Sequence, residues 1–336
     1  MKKIIAAIMM LGALVTSCEN SDWDFPDYGK TSVYFAKQTP IRTITLGTDT
    51  YDTTLDNEHK CKIMATMGGV YNNETNRIIN FEVDESLCNG LTYENGSDII
   101  PMPSSYYKLA SNQIIIPVGK VLGGVEVQFT DAFFNDPKSI STTYVIPLRM
   151  TSVENADTIL KSKNYILYAV KYINKWDGNW LSRGTDVIDD NGSVTTVTRQ
   201  AKYIENDEVR SLTTTAYKQV VYPVSTVVNV YKEDGTLGTK TLKCDLILTF
   251  DDKDKCTITS GTEGYTATGT GTWTKEGAKK AWGDKDRDEL KLNYVLTYNY
   301  QQKAGGPMLY KKYTCDDTLV ARDRGSKLET FTPKNK

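Results

Sequence analysis

In Leu290-Lys291-Leu292-Asn293-Tyr294-Val295-Leu296-Thr297-Tyr298-Asn299-Tyr300, leucine and tyrosine occupy every second position. A period of two puts one set of side chains on a single face of an extended backbone, so this is a long strand with one face turned inward. Leu242, Cys244, Leu246, Leu248 and Phe250 repeat the pattern. Around these two runs the stretches 194–203, 213–222, 227–231, 257–259, 265–273, 308–315 and 318–321 also read as strands. Hairpin signals stand between them: Asp190-Asn191-Gly192, Asp234-Gly235, the acidic Asp251 to Asp254, and Gly305-Gly306-Pro307. Long antiparallel neighbours joined by tight turns remove their exposed edges by closing on themselves. An antiparallel meander β-barrel of about eight strands is therefore expected over residues 176–336.

Upstream the runs are shorter: 32–36, 41–46, 61–67, 78–83, 113–117, 124–129, 144–150 and 165–173. Val125, Val127 and Phe129 alternate with Glu126, Gln128 and Thr130, as in a half-buried strand. Such a series with turns between predicts a β-sandwich over 31–173, with single helical turns near 84–88 and 156–160. Ser32-Val33-Tyr34-Phe35, Gly68-Gly69 with Asn76 and Phe81-Glu82-Val83-Asp84, Tyr106-Tyr107-Lys108-Leu109, Ile114 to Gly119, and Tyr144-Val145-Ile146-Pro147-Leu148 before Asn164-Tyr165 stand in one order. In that order they resemble the Ig-like N-terminal domain of unknown function carried by Bacteroidetes lipoproteins of polysaccharide-utilisation loci. The resemblance implies a non-catalytic spacer that presents another module. Gly178-Asn179-Trp180 is similar to the Gly-x-Trp that opens lipocalin-like (calycin) barrels, although the remaining lipocalin signatures have no counterpart. The fold class is thus all-β: an N-terminal Ig-like β-sandwich followed by a lipocalin-like meander barrel.

At the N-terminus, Lys2 and Lys3 precede an apolar run that ends in Leu14-Val15-Thr16-Ser17-Cys18. The run is shorter than the roughly 20 residues a membrane helix needs, so 1–17 reads as a lipoprotein signal and Cys18 as the lipidated first residue. Glu19-Asn20-Ser21-Asp22-Trp23-Asp24 resembles the export tag that sends Bacteroidetes lipoproteins to the outer face of the outer membrane. Residues 18–30, polar and broken by Pro26 and Gly29, read as an acidic tether.

Charged residues make up 24% of the chain and the net charge is −2, without long blocks of one sign, so nucleic acid is not implied as a partner. Beyond Cys18 the cysteines are Cys61, Cys88, Cys244, Cys256 and Cys315, an odd set read as buried free thiols. Their spacing and the single histidine offer no zinc site. His59, in a polar turn, reads as a solvated loop residue. The carboxylates to inspect are Asp245, Asp316 and Asp317, which interrupt barrel strands; Asp245 is expected to point outward. Asp251-Asp252-Lys253-Asp254 lacks the closing glutamate of a calcium loop and reads as a hairpin turn. The glycine-rich 260–272 sits in a strand pattern and Gly68-Gly69 in a turn, so no phosphate cradle and no cofactor are implied.

Aromatic residues offer the better lead, since sugar C–H faces stack on rings while hydroxyls bond to polar neighbours. Trp282 stands in the polar connection 275–288, and Trp273 and Tyr265 share a strand face that would line the barrel mouth. Trp176 and Trp180 are placed at the barrel base or its seam with the first domain. The expected function is a surface lipoprotein that binds oligosaccharide or polysaccharide without cleaving it, as an accessory of a polysaccharide-uptake system. Two alternatives stay open: a scaffold recruiting a transporter or another surface protein, and a glycan hydrolase, which needs two carboxylates facing one cleft.

Overall fold

A computed structural model describes residues 27–336; the signal and Cys18 lie outside the described residues. The described chain is all-β, as the sequence predicts. The first unit contains β1 (Ser32–Tyr34), β2 (Pro40–Thr45), β3 (Lys60–Gly68), β4 (Arg77–Val83), β5 (Gln113–Ile116), β6 (Leu122–Phe129), β7 (Tyr144–Glu154) and β8 (Tyr165–Ile173). One sheet runs Thr158–Ile159, β1, β3, β6, Tyr107–Leu109, and the other Glu329–Thr330, β2, β8, β7, β4, β5.

Alternation decides which faces meet. Cys61, Ile63, Ala65 and Met67 of β3 and Val125, Val127 and Phe129 of β6 turn inward onto Ile146, Leu148, Val170 and Tyr172 of the opposite sheet. In β7 and β8 the apolar run is unbroken because the second face is covered too: Val145, Leu167 and Ala169 pack with Cys88, Tyr93, Ile99 and Phe331. Gly69 has φ +100, and a Cβ there would meet the Lys30 carbonyl at 2.0 Å, which is why this turn takes glycine. The turn near 84–88 is a short helix over Glu85–Cys88, with the Asp84 side chain accepting from the Ser86 N–H. The helical turn expected near 156–160 is instead the strand Thr158–Ile159, drawn into parallel pairing with β1. Long-range pairing outweighs local preference there.

The second unit is a nine-stranded sheet: β9 (Gly178–Asp190), β10 (Ser193–Arg199), β11 (Glu208–Ala216), β12 (Gln219–Tyr231), β13 (Leu237–Phe250), β14 (Lys255–Ser260), β15 (Tyr265–Trp282), β16 (Lys285–Gln301) and β17 (Met308–Asp323). β9 pairs with β17 over most of its length and closes the barrel. The near half of β9 pairs with β11 and its far half with β10, which hangs outside the ring. Several expected boundaries change: the run 194–203 ends at Arg199, 227–231 is the far part of β12, and 308–315 and 318–321 are the one strand β17. The run 213–222 is two strands with a turn at Tyr217-Lys218, since the Asn174 amide donates to the carbonyls of Ala216 and Gln219 (3.0 and 2.9 Å) and holds a turn that lacks glycine. The polar connection 275–288 is no loop but the end of the β15–β16 hairpin. Gly283 and Asp284 both have positive φ, as a two-residue hairpin turn requires, and Asp286 and Asp288 accept from the backbone N–H groups of Lys280 and Glu276 at its bulges.

Trp176 stacks on Phe250 (3.9 Å between centroids) and receives the Trp180 indole N–H at its carbonyl (3.1 Å), so both tryptophans plug the barrel base against the sandwich. The join is rigid. Arg324 donates to the carbonyls of Asn174, Leu46 and Thr48 (2.5, 3.1 and 3.4 Å). Residues 329–335, assigned to the barrel from sequence, return to the sandwich instead, where Glu329–Thr330 pairs with β2, Lys334–Asn335 with Leu91–Thr92, and Phe331 packs on Tyr93.

Candidate functional site

In the far half of the barrel polar side chains join aliphatic ones such as Leu296 and Val228 at the inward positions. Asp317 follows Cys315 and precedes Leu319 on the inner face of β17, and it is fully buried; Asp316 beside it is exposed. Asp186 of β9 is buried on the same inner surface. Arg199, at the end of β10, reaches both. Its Nε donates to Asp186 Oδ2 (2.6 Å) and its Nη2 to Asp186 Oδ1 (2.9 Å), and Nη2 also donates to Asp317 Oδ1.

Register explains the reach. Gly184 is the cross-strand partner of Arg199 on one side and of Asp317 on the other. A Cβ on Gly184 would meet the Asp316 carbonyl at 2.3 Å and Asp317 Oδ1 at 2.7 Å, so glycine lets β9 lie this close to β17 and the Asp317 carboxylate. Asp317 Oδ2 accepts from the hydroxyls of Tyr294 (3.2 Å) and Tyr222 (3.4 Å). Every oxygen of the two carboxylates thus has a donor, as buried charge demands.

This network borders a cavity of about 210 Å³ whose wall also includes Tyr298, Tyr313, Ile188 and Arg210. Two carboxylates and two guanidiniums balance its formal charge. Burial raises Asp317 above the ordinary carboxylate range, with the Arg199 cation opposing the rise. Carboxylate neighbours hold Arg199 firmly protonated, and burial pushes the Tyr222, Tyr294 and Tyr298 hydroxyls and the Cys315 thiol upward, so these stay neutral. The site presents hydroxyls, carboxylates and ring faces. The Cys315 thiol is held protonated, and every carboxylate oxygen already has a donor within the protein.

Sequence-selected residues fall in different places. Tyr265 packs edge-on to Tyr298 (5.1 Å) at the cavity end. Trp273 is on the same face of β15 but eight residues on, about 26 Å at roughly 3.3 Å per residue, near the base under the Lys175 ammonium (4.6 Å). Trp282 lies beyond it at the hairpin tip, its indole N–H donating to the Ala321 carbonyl (3.3 Å) and its ring covered by Arg287 (3.8 Å). The three do not meet. Asp245 is exposed on the outer face, as expected. The five cysteines are free and buried. His59 is not a solvated loop residue: it is half-buried at the join, against Phe134 (4.1 Å) and 3.3 Å from the Tyr217 hydroxyl, and burial lowers its basicity. No cluster of three or more metal-ligating side chains occurs among the described residues.

The profile of a domain of unknown function, DUF5627, matches residues 175–325, and a second profile, for an N-terminal domain, matches 28–157. A crystal structure of a Bacteroides ovatus protein of unknown function is 37% identical, with a TM-score of 0.79, over 91% of this chain and 99% of that one. The chain belongs to the family of that protein. Another Bacteroides ovatus protein of unknown function (13% identity, TM-score 0.41, 89% and 99% covered) and an auxiliary nutrient binding protein of Bacteroides thetaiotaomicron (11%, 0.38, 86% and 95%) are too remote in geometry to bear on this site. A search among curated proteins finds no relative.

Within this family member, the residues of the candidate site that sequence reading passed over are Asp186, Arg199 and Tyr222. The signal was present. Asp317 is in phase with Cys315 and Leu319, and Asp186 in phase with Trp180, so the alternation that marks a strand also marks both as inward charges.

Proposed function

We propose that this protein is a non-catalytic capture accessory, held at the outer face of the outer membrane by an acylated Cys18, whose barrel cavity takes a small neutral polyhydroxylated ligand of the sugar class. One observation carries the reading: a buried Asp186–Arg199–Asp317 network, walled by tyrosines, borders an open cavity. Hydroxyls bond to carboxylates, guanidinium and phenol groups alike, and Tyr298 and the half-exposed Tyr313 add apolar ring surface to the wall. In this reading Tyr265 supports Tyr298, whereas Trp273 and Trp282 serve packing. The sandwich acts as a spacer between lipid and barrel.

A glycan array followed by titration calorimetry tests the reading. Tyr298→Ala is expected to weaken binding at least about tenfold, near 1.4 kcal/mol. Binding that survives in Tyr298→Ala but fails in Trp282→Ala would move the site to the hairpin tip. Labelling with a palmitate analogue, lost in Cys18→Ser, tests the anchor. A scaffolding role is favoured by a different observation, the exposed cluster of Tyr231, Leu237 and Met308 on the far rim. Replacing these three by alanine separates the two readings, since it leaves cavity binding intact.

A further inference from the structure

We infer that the cavity receives the terminal ring of a glycan end-on and excludes the interior of a chain; this rests on the sugar-capture reading above. The floor is solid: Leu290, Leu292 and Leu319 are fully buried beneath Asp317, and the Trp176–Phe250 stack lies below them. The far end is shut by the β12–β13 hairpin leaning over it. There the Tyr231 N–H donates to the Gln302 carbonyl (2.7 Å), Thr226 Oγ1 bonds the Tyr313 hydroxyl (2.7 Å), and the Lys311 ammonium donates to the Val227 carbonyl (3.1 Å).

One side remains. β10 shares no ladder with β12 among the described residues, and the lining residues that reach solvent are the exposed Ser225 and the half-exposed Ile188, Arg199, Arg210 and Tyr313, the last paired with Ile188 across β9 and β17. A cavity with a single opening is a dead end. A chain threading through needs two exits, so only a terminus can enter. The volume of about 210 Å³ lies under the roughly 300–1,000 Å³ of common small-molecule pockets, which leaves room for one ring. At the entrance Arg210 engages Glu208 through Nη2 (2.9 Å), while its buried Nε has no partner.

The test is calorimetry on the mature chain with β-1,4-linked gluco-, xylo- and manno-oligosaccharides and α-1,4-linked gluco-oligosaccharides of increasing length, and with the matching polymers. In a series that binds, one protein per chain is expected at every length, with affinities within about threefold beyond the disaccharide. Ser225→Trp, at an exposed position on the rim of the gap, is expected to lower affinity at least about tenfold at all lengths. Protein bound per chain that grows with length, or binding untouched by Ser225→Trp, overturns end-on entry while leaving sugar capture standing. No binding by any series at millimolar concentration overturns sugar capture itself.

Discussion

The sandwich and the barrel start from the same alternation and fill their interiors differently. Between the sandwich sheets the inward positions are Val33, Ile63, Val127, Ile146 and Phe133, an apolar core. In the barrel, Leu296, Val228 and Leu242 carry the aliphatic filling beyond Leu292 and Leu319, but Asp317, Asp186 and tyrosines stand among them at inward positions. Placing ions where leucine would serve costs stability, since a buried ion pair seldom outweighs its own desolvation. The sandwich keeps one such pair, the buried Asp56 with Arg42, whereas the barrel gathers two carboxylates under one guanidinium beside a cavity.

The largest effect expected is that of Arg199→Ala, which strands two buried carboxylates and should cost about 4 kcal/mol by urea unfolding. Replacing the whole network with apolar residues (Arg199→Met, Asp186→Leu and Asp317→Leu together) should be neutral or stabilising by up to about 4 kcal/mol while abolishing sugar binding. A triple variant that loses stability as heavily as Arg199→Ala would make the network structural and erase the contrast between the units. On the other side, Ile146→Ala should cost about 3 kcal/mol through the cavity it opens and leave sugar affinity unchanged. A loss of affinity there would show that the two units are coupled.

Asn174→Ala leaves the carbonyls of Ala216 and Gln219 without their donor and should cost about 1–2 kcal/mol. Calorimetry should then resolve separate transitions for the two units where the parent shows one. The smallest effect is at His59. Its folded value lies below the ordinary 6.5, so the unfolded chain takes up the proton first. The stability it contributes is whole above pH 6.5 and is lost as pH falls from there through the lowered folded value. His59→Gln should flatten that part of the pH profile of the thermal midpoint, and an unchanged slope would place its origin elsewhere.

Strand by strand, much of the fold was legible. The run 165–173 coincides with β8, and the Asp190-Asn191-Gly192 turn adopts the positive φ values its residues favour. What escaped was held by distant partners. Tyr217-Lys218 turns because Asn174 grips both flanking carbonyls, and 156–160 extends because β1 is there to pair with it. The 275–288 hairpin was hidden by its own acids, since Asp286 and Asp288 look solvated until they are seen bonding the backbone of the bulges. The site was half legible: Asp317 stood out as a charge in an apolar phase, whereas nothing along the chain announces that Arg199, on a strand outside the ring, reaches it past Gly184.

By itself the sequence determined the all-β class, the two successive units and which face of each long strand turns inward, because the side-chain period of a strand is a local property of the backbone. Tertiary structure alone decided which inward residues meet. Closure of β9 on β17 brings Asp186 and Asp317 under one guanidinium and sets Trp273 and Trp282 far from them, since register across a barrel depends on pairing between residues more than a hundred positions apart.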